Sequence, residues 1–280
     1  MKVRQENEDA QFVFIKEAER YPYAEMSNHK WVPKTSNQRE RVSNLLSFFA
    51  VTDFRNIIEK GAFRISSKHA YSIPAITSWL RKGSIDGTSI NTTGFDETRL
   101  RSNLSALRLL TKEANPNKMM KEIGLLLASC GIAFVLTPSL KNAPINGATR
   151  WLNSDKVLLQ LSLRYKYADI FWFSLFHEIG HVLFENKKDF NIDLVKNFVE
   201  PEKEKKADKF ACDELISLEI YEKFKAFLKK NPLSGADMYR VITRFSEKIN
   251  IHPGIVSGRL QNDGILPRNM NKLRTRLEWA

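Results

Sequence analysis

The stretch DIFWFSLFHEIGHVLF, residues 169–184, predicts a helix at the centre of the fold. Asp169 suits the N-cap, and the apolar residues fall on faces that a protein core would cover. His177 and His181 are four residues apart, so both imidazoles project from one side of this helix. Two nitrogens at this spacing can reach one metal ion at about 2.0–2.1 Å. Glu178 lies one position round the helix, where it can accept a proton from a metal-bound water.

This pattern, HExxH, is typical of zinc peptidases. With five histidines in 280 residues, chance would place it in on the order of one chain in a hundred. The structural alternative is a pair of half-buried histidines, each hydrogen-bonded within a core helix. A third ligand would separate the two interpretations, because catalytic zinc takes three protein ligands and keeps one position open.

A second helix is predicted over residues 201–215, PEKEKKADKFACDEL. Glu204 and Asp208 share one side of it at i and i+4. Ala207 and Ala211 lie alongside and are small enough to let this helix approach the first closely. We therefore predict that Glu204 is the third metal ligand and that Asp208 is the carboxylate that orients a ligand histidine.

Other carboxylates are rival ligands. Acidic residues among lysines are usually exposed, so the second helix would not by itself make Glu204 a ligand; the HExxH pattern reverses those odds. Glu185 lies on the histidine helix and is expected to point past the ion. The full set of rivals is Glu185, Asp189, Asp193, Glu200 and Glu202.

The rest of the pattern predicts an α+β fold, predominantly α-helical, with a small β-sheet placed before the central helix. Apolar spacing predicts helices over residues 38–60, 72–82, 98–111 and 118–130. Short apolar runs predict strands at 132–137 and 156–163, with 149–152 able to pair between them. Residues 84–97, rich in Gly, Ser, Thr, Asn and Asp, predict a loop. This loop would divide an N-terminal helical region or connector, 1–97, from the domain with the metal motif, 98–280.

Two further segments could contribute to an active-site cleft. The strand at 156–163 could bind an extended peptide by strand addition, provided that it lies at the edge of its sheet. His252, which precedes Pro253, could donate a proton or hydrogen bond to a transition state, but a capping or packing role is the stronger interpretation.

Composition indicates an ordinary soluble globular protein, with 42% hydrophobic and 27% charged residues. No stretch approaches the roughly 20 apolar residues of a membrane helix, and the polar N-terminus lacks the apolar core of a signal peptide. Cys130 and Cys212 cannot build a disulfide framework. We therefore expect a cytoplasmic protein that does not contact membranes.

The net charge of +12 favours an anionic partner such as nucleic acid. The alternative is that the basic residues are spread over solvated helix faces. Their density is highest near the C-terminus, at Arg259, Arg268, Lys272, Arg274 and Arg276.

HEIGHVLF at 177–184 and ExxADxFA at 204–211 together resemble the ImmA/IrrE metallopeptidases. Further likeness, to the branch fused to HigA-type antitoxins or Xre-type regulators, covers most of the chain and is carried by residues 45–54, 75–83, 145–152, 161–181 and 254–266. Two departures are evident. Lys206 stands where members often carry a second Glu. The helix-turn-helix domain with which members of this branch begin is not recognisable in this sequence, although residues 14–32 look like the connector that would follow it.

The resemblance implies a gluzincin-type zincin core with His177, His181 and Glu204 as metal ligands and Glu178 as the catalytic base. It implies Zn²⁺ as cofactor, with Mn²⁺ as an alternative that such a ligand set accepts. It further implies cleavage of a protein substrate, a helix-turn-helix repressor of the Xre type. A toxin partner and DNA binding are weaker implications. The alternative function is a non-catalytic regulatory or antitoxin-like binding module whose metal site is structural or vestigial.

Overall fold

The computed structural model describes residues 12–57, 71–185, 201–233 and 235–277, together with the backbone of a short strand at 62–63. Within these ranges the helices are α1 (12–19), α2 (Tyr23–Asn28), α3 (Gln38–Phe49), α4 (Ile73–Ser89), α5 (Glu97–Leu109), α6 (Pro116–Ala128), α7 (Ala168–Phe184), α8 (Pro201–Leu215), α9 (Leu218–Lys230), α10 (Gly235–Lys248) and α11 (Pro253–Asn262). The strands are β1 (Ala62–Phe63), β2 (Ile132–Leu136), β3 (Gly147–Trp151) and β4 (Val157–Leu161). The prediction of a mostly helical α+β chain is confirmed.

The central strand of the sheet is β4, which lies between β3 and β2 in the order β1-β3-β4-β2. It runs antiparallel to β3 and parallel to β2. The prediction that residues 149–152 pair between the other two strands is therefore wrong, and β4 offers no free edge to a peptide. The physical reason is burial, because all five residues of β4 are buried, as expected for a strand covered on both faces.

Helices cover the two faces of the sheet. Leu159 and Leu161 of β4 join the apolar core that contains α7. Leu158 and Gln160 point the other way and meet α4, where the Gln160 amide donates to the carbonyl of Trp79. The sheet therefore carries α7, the helix with the histidines, on one face and α4 on the other.

The predicted loop at 84–97 is wrong in its first half, because α4 continues to Ser89. Gly83, just before the predicted loop, and Gly87, within it, lie in the part of the helix that packs against the sheet. A Cβ on Gly83 would lie 2.0 Å from Gln160 Oε1, and one on Gly87 would lie 2.6 Å from Leu158 Cδ1. Small residues are thus required where this helix touches the sheet, although glycine costs helix stability.

The helix predicted over 38–60 is also shorter than expected. It ends at Phe49, where Ala50 adopts a left-handed conformation with φ 55°. This helix, α3, forms with α1 and α2 a separate apolar cluster that includes Met26, Leu45 and Phe48. No helix within the described ranges has both the length and the apolar character to cross a membrane.

Candidate metal centre

The HExxH pattern lies in the second half of α7, a helix that is buried on nearly all sides. His177, Glu178 and His181 are only 4%, 4% and 5% exposed. The helix begins at Ala168, and its N-cap is Tyr167 rather than the predicted Asp169. Asp169 instead lies in the first turn, where its two carboxylate oxygens accept hydrogen bonds of 2.9 and 2.8 Å from Arg274.

Helix α8 packs antiparallel to α7 and brings a carboxylate to the two histidines. Glu204 Oε1 lies 3.2 Å from His181 Nε2, and Glu204 Oε2 lies 3.5 Å from His177 Nε2. The two Nε2 atoms are 2.9 Å apart. One ligand atom from each of these residues lies within 4.8 Å of the others, so the three residues could hold a metal ion.

The close approach of the two helices depends on small side chains. A Cβ on Gly180 would lie 3.1 Å from the Cα of Ala207, so the helices touch almost backbone to backbone. Ala207 is 1% exposed and Ala211 is fully buried. As predicted from their small size, Ala207 and Ala211 therefore allow α8 to pack closely on α7. This close packing brings Glu204 to the two histidines.

Each candidate ligand histidine has a carboxylate at its other ring nitrogen. Asp208 Oδ1 lies 2.8 Å from His177 Nδ1, where the sequence placed an orienting carboxylate. Glu185 makes the equivalent contact with His181 Nδ1. The expectation that Glu185 points past the site is wrong: its side chain turns back onto the helix to reach His181. Its spacing of four residues from His181 allows this contact but does not by itself require it.

This arrangement fits a metal cation. When Nδ1 donates its proton to a carboxylate, the Nε2 of a neutral histidine is left as an acceptor. Two such nitrogens and the carboxylate of Glu204 then converge without a donor among them. Three converging acceptors need a proton or a metal cation between them, and two imidazoles with one carboxylate are a ligand set of catalytic zinc.

The pKa of His181 shows the same need for positive charge. Burial lowers this pKa, but hydrogen bonds with Glu185 and Glu204 outweigh burial and raise it to about 10. A metal ion held here would therefore compete with a proton for the same place. Its affinity would fall as the solution becomes more acidic.

Glu178 occupies a pocket formed by α7 and strand β3. A Cβ on Gly147 would lie 2.6 Å from Glu178 Oε1, so only glycine leaves room for this carboxylate. Burial raises the pKa of Glu178, and positive charge on the neighbouring histidines opposes the rise. A carboxylate with a raised pKa is a better proton acceptor near neutral pH than an ordinary exposed one.

The rival ligands do not reach the centre where the structure describes them. Glu202 is exposed and pairs with Lys205 at 2.8 Å. Glu185 contacts His181 Nδ1 rather than the side where Glu204 lies. Asp189, Asp193 and Glu200 lie outside the described residues.

Two other candidates have structural roles. The His252 side chain accepts a hydrogen bond of 3.0 Å from the Gly254 amide and so caps α11, as expected. In the basic C-terminal cluster, Arg259 donates to the carbonyls of Cys212 and Ile216 at the end of α8, and Arg274 binds Asp169. These two arginines are therefore used inside the fold rather than in an exposed anion-binding patch.

Replacing Glu185 by Ala is expected to weaken metal binding by about 10–100-fold, because His181 loses the carboxylate that holds its ring and its tautomer. The measurement is zinc affinity by competition with a chromophoric chelator. Asp208→Ala is the matched variant for His177 and should behave in the same way. Unchanged affinity in both variants would show that the two carboxylates do not orient the histidines.

Comparisons of the chain with protein-family models, with curated proteins and with solved structures found no match.

Proposed function

We propose that this protein is a metal-dependent endopeptidase. The observation that carries the proposal is the convergence of His177, His181 and Glu204 within 4.8 Å, with Glu178 buried beside them. Zinc is the metal that the ligand set suits best, and manganese is an alternative. When bound, such an ion supplies Lewis acidity that polarises a carbonyl and makes water easier to deprotonate.

Glu178 carries the proton in this proposal. Its carboxylate accepts a proton from the attacking water, whose oxygen forms a bond to the scissile carbonyl carbon. The same carboxyl then gives the proton to the departing amide nitrogen as the C–N bond breaks, so that the products are a carboxylate and an amine. The residues His177, His181 and Glu204 hold their positions throughout, because α7, α8 and the carboxylates behind the histidines fix them.

The proposed substrate is a helix-turn-helix repressor of the Xre type. The support for this class is the resemblance to ImmA/IrrE metallopeptidases in HEIGHVLF and ExxADxFA. Because such regulators act on DNA inside the cell, we place the activity in the cytoplasm.

Metal removal tests the proposal. The full chain, stripped with a chelator and reloaded with zinc or manganese, is incubated with a panel of purified Xre-type repressors, and products are mapped by mass spectrometry. We expect cleavage at a defined peptide bond by the reloaded protein and none by the stripped protein.

Specific metal binding without cleavage of any repressor would instead favour the alternative of a non-catalytic regulatory module. A stable toxin or DNA complex, the latter weakened by salt, would support that alternative.

A further inference from the structure

The interface between α7 and α8 continues beyond the candidate metal ligands to the wall of a cavity. One turn before His177 on α7 lies Phe173, whose ring centroid is 6.0 Å from that of the histidine. One turn after Asp208 on α8 lies Cys212. Phe173 and Cys212 both line a cavity of about 180 Å³, which α11 closes on its third side. The cavity therefore begins one helical turn from the metal centre.

The walls of this cavity are mainly apolar. The α7 wall includes Ile170 and Phe173, and α11 contributes Ile255. The remaining apolar wall is formed by Leu215 at the end of α8 and by Ile216, which follows it. Three of these, Leu215, Ile216 and Ile255, are 4% exposed or less and belong to the main core. An occupant would thus touch these buried side chains, and also the exposed Asn262 and Asp263.

Two charged residues at the cavity, Arg259 on α11 and Asp263 just after this helix, already make polar contacts within the protein. Arg259 donates to the carbonyl oxygens of Cys212 and Ile216 at 2.8 and 2.6 Å, and its guanidinium lies 3.9 Å from the centre of the Tyr221 ring. Asp263 accepts a hydrogen bond of 2.8 Å from the Tyr221 hydroxyl. The two residues carry opposite charges, so together they add no net charge to the cavity lining.

The third charged residue, Asp169, is neutralised by the two hydrogen bonds from Arg274. Gly258 of α11 packs against it so closely that a Cβ there would lie 2.2 Å from Asp169 Oδ2. With its charges balanced and its walls apolar, the cavity favours a neutral occupant, because burying an unpaired charge beside these walls would be costly.

We propose that this cavity binds one neutral apolar group, a single aromatic ring or a branched aliphatic chain. Its volume of about 180 Å³ compares with the 150 Å³ or so of an apolar cavity that binds benzene in another protein. Such a group can be a side chain of a bound polypeptide or a free small molecule. Binding of a polypeptide side chain rests on the proposed peptidase function, whereas binding of an apolar group to the cavity does not.

Alkylation of Cys212 by N-ethylmaleimide tests this binding, with toluene as the probe. The full chain carries Cys130→Ala, which leaves Cys212 as the one thiol, and the metal-free protein is used. At ten times its Kd, toluene should slow alkylation about tenfold by mass action. No saturable slowing at any soluble toluene concentration would overturn the proposal.

A filling variant provides the specificity control. Ile170→Phe places the additional ring atoms at the cavity wall and should abolish protection by toluene. Ile220→Phe makes the same change at a position on α9 that is 42% exposed, and should leave protection intact. Equal protection in both variants would show that toluene binds elsewhere, which also overturns the proposal. If Ile170→Phe does not fold, judged by circular dichroism, the saturation test in the parent chain still decides.

The metal-loaded protein distinguishes the two sources of the apolar group. If a substrate side chain enters the cavity, Ile170→Phe should lower kcat/KM for peptides with Leu, Met or Phe near the scissile bond about tenfold, and spare those with Gly or Ala. Unchanged selectivity together with toluene protection would assign the cavity to a free molecule. Absence of any cleavage, with protection still observed, would count against the peptidase function but not against the cavity.

Discussion

Glu178→Gln is expected to lower the turnover of any peptide substrate by about 10²–10⁴-fold, the range attributed to a general base. The amide of glutamine has nearly the shape of the carboxylate, so it should fit in the same space beside Gly147. This space exists because Gly147 has no side chain: a Cβ on it would lie 2.6 Å from Glu178 Oε1. It cannot, however, accept the proton of the attacking water. The expected result is a folded protein that holds metal and does not cleave.

The measurement pairs single-turnover cleavage with metal content per chain by elemental mass spectrometry. Glu202→Gln is the matched control, because Glu202 lies on α8 but is exposed and paired with Lys205; it should retain both metal and activity. Cleavage by Glu178→Gln at the wild-type rate would refute the role of Glu178 as base. Loss of metal in this variant would instead show that Glu178 supports the ligands.

Glu204→Ala is expected to remove most of the metal, with affinity reduced by more than the 10–100-fold typical of an orienting residue. Glu204 contributes both oxygens to the centre, at 3.2 and 3.5 Å from the two Nε2 atoms. Its loss leaves two histidines, and two ligands bind zinc far less tightly than three.

The measurement is metal content per chain after dialysis, compared between Glu204→Ala and the control variant Glu202→Ala. Near-stoichiometric metal in Glu202→Ala beside a large loss in Glu204→Ala would establish the three-residue centre. Metal retained by Glu204→Ala would mean that another carboxylate completes it. Metal absent from the wild type as well, even after reloading with zinc or manganese, would favour the regulatory-module alternative.

The candidate centre follows from sequence because its information is local. Four-residue spacing within a helix places His177 with His181, and Glu204 with Asp208, whatever the rest of the fold. The pairing of the two helices was suggested by Ala207, whose size allows close contact. Glu185 was misjudged because its spacing from His181 allows two side-chain directions, toward the ring or past it, and local sequence does not choose between them.

The sheet was harder to predict because its order depends on contacts distant in sequence. The pattern VLLQL of β4 carries one usable signal, since four apolar residues in five favour a central strand over an edge strand. The end of α4 was misplaced partly because Gly87 is typical of a loop until the sheet that it touches is known. The composition of this segment does not reveal that it contacts the sheet.

The candidate ligands come from two helices, His177 and His181 from α7 and Glu204 from α8. An ion held by all three is in effect a removable cross-link between distant parts of the chain. If such an ion bound only the native arrangement, free metal at 1,000 times its Kd would add about 4 kcal/mol to the free energy of unfolding. Metal supply would then set the folded fraction of the protein as well as its reactivity.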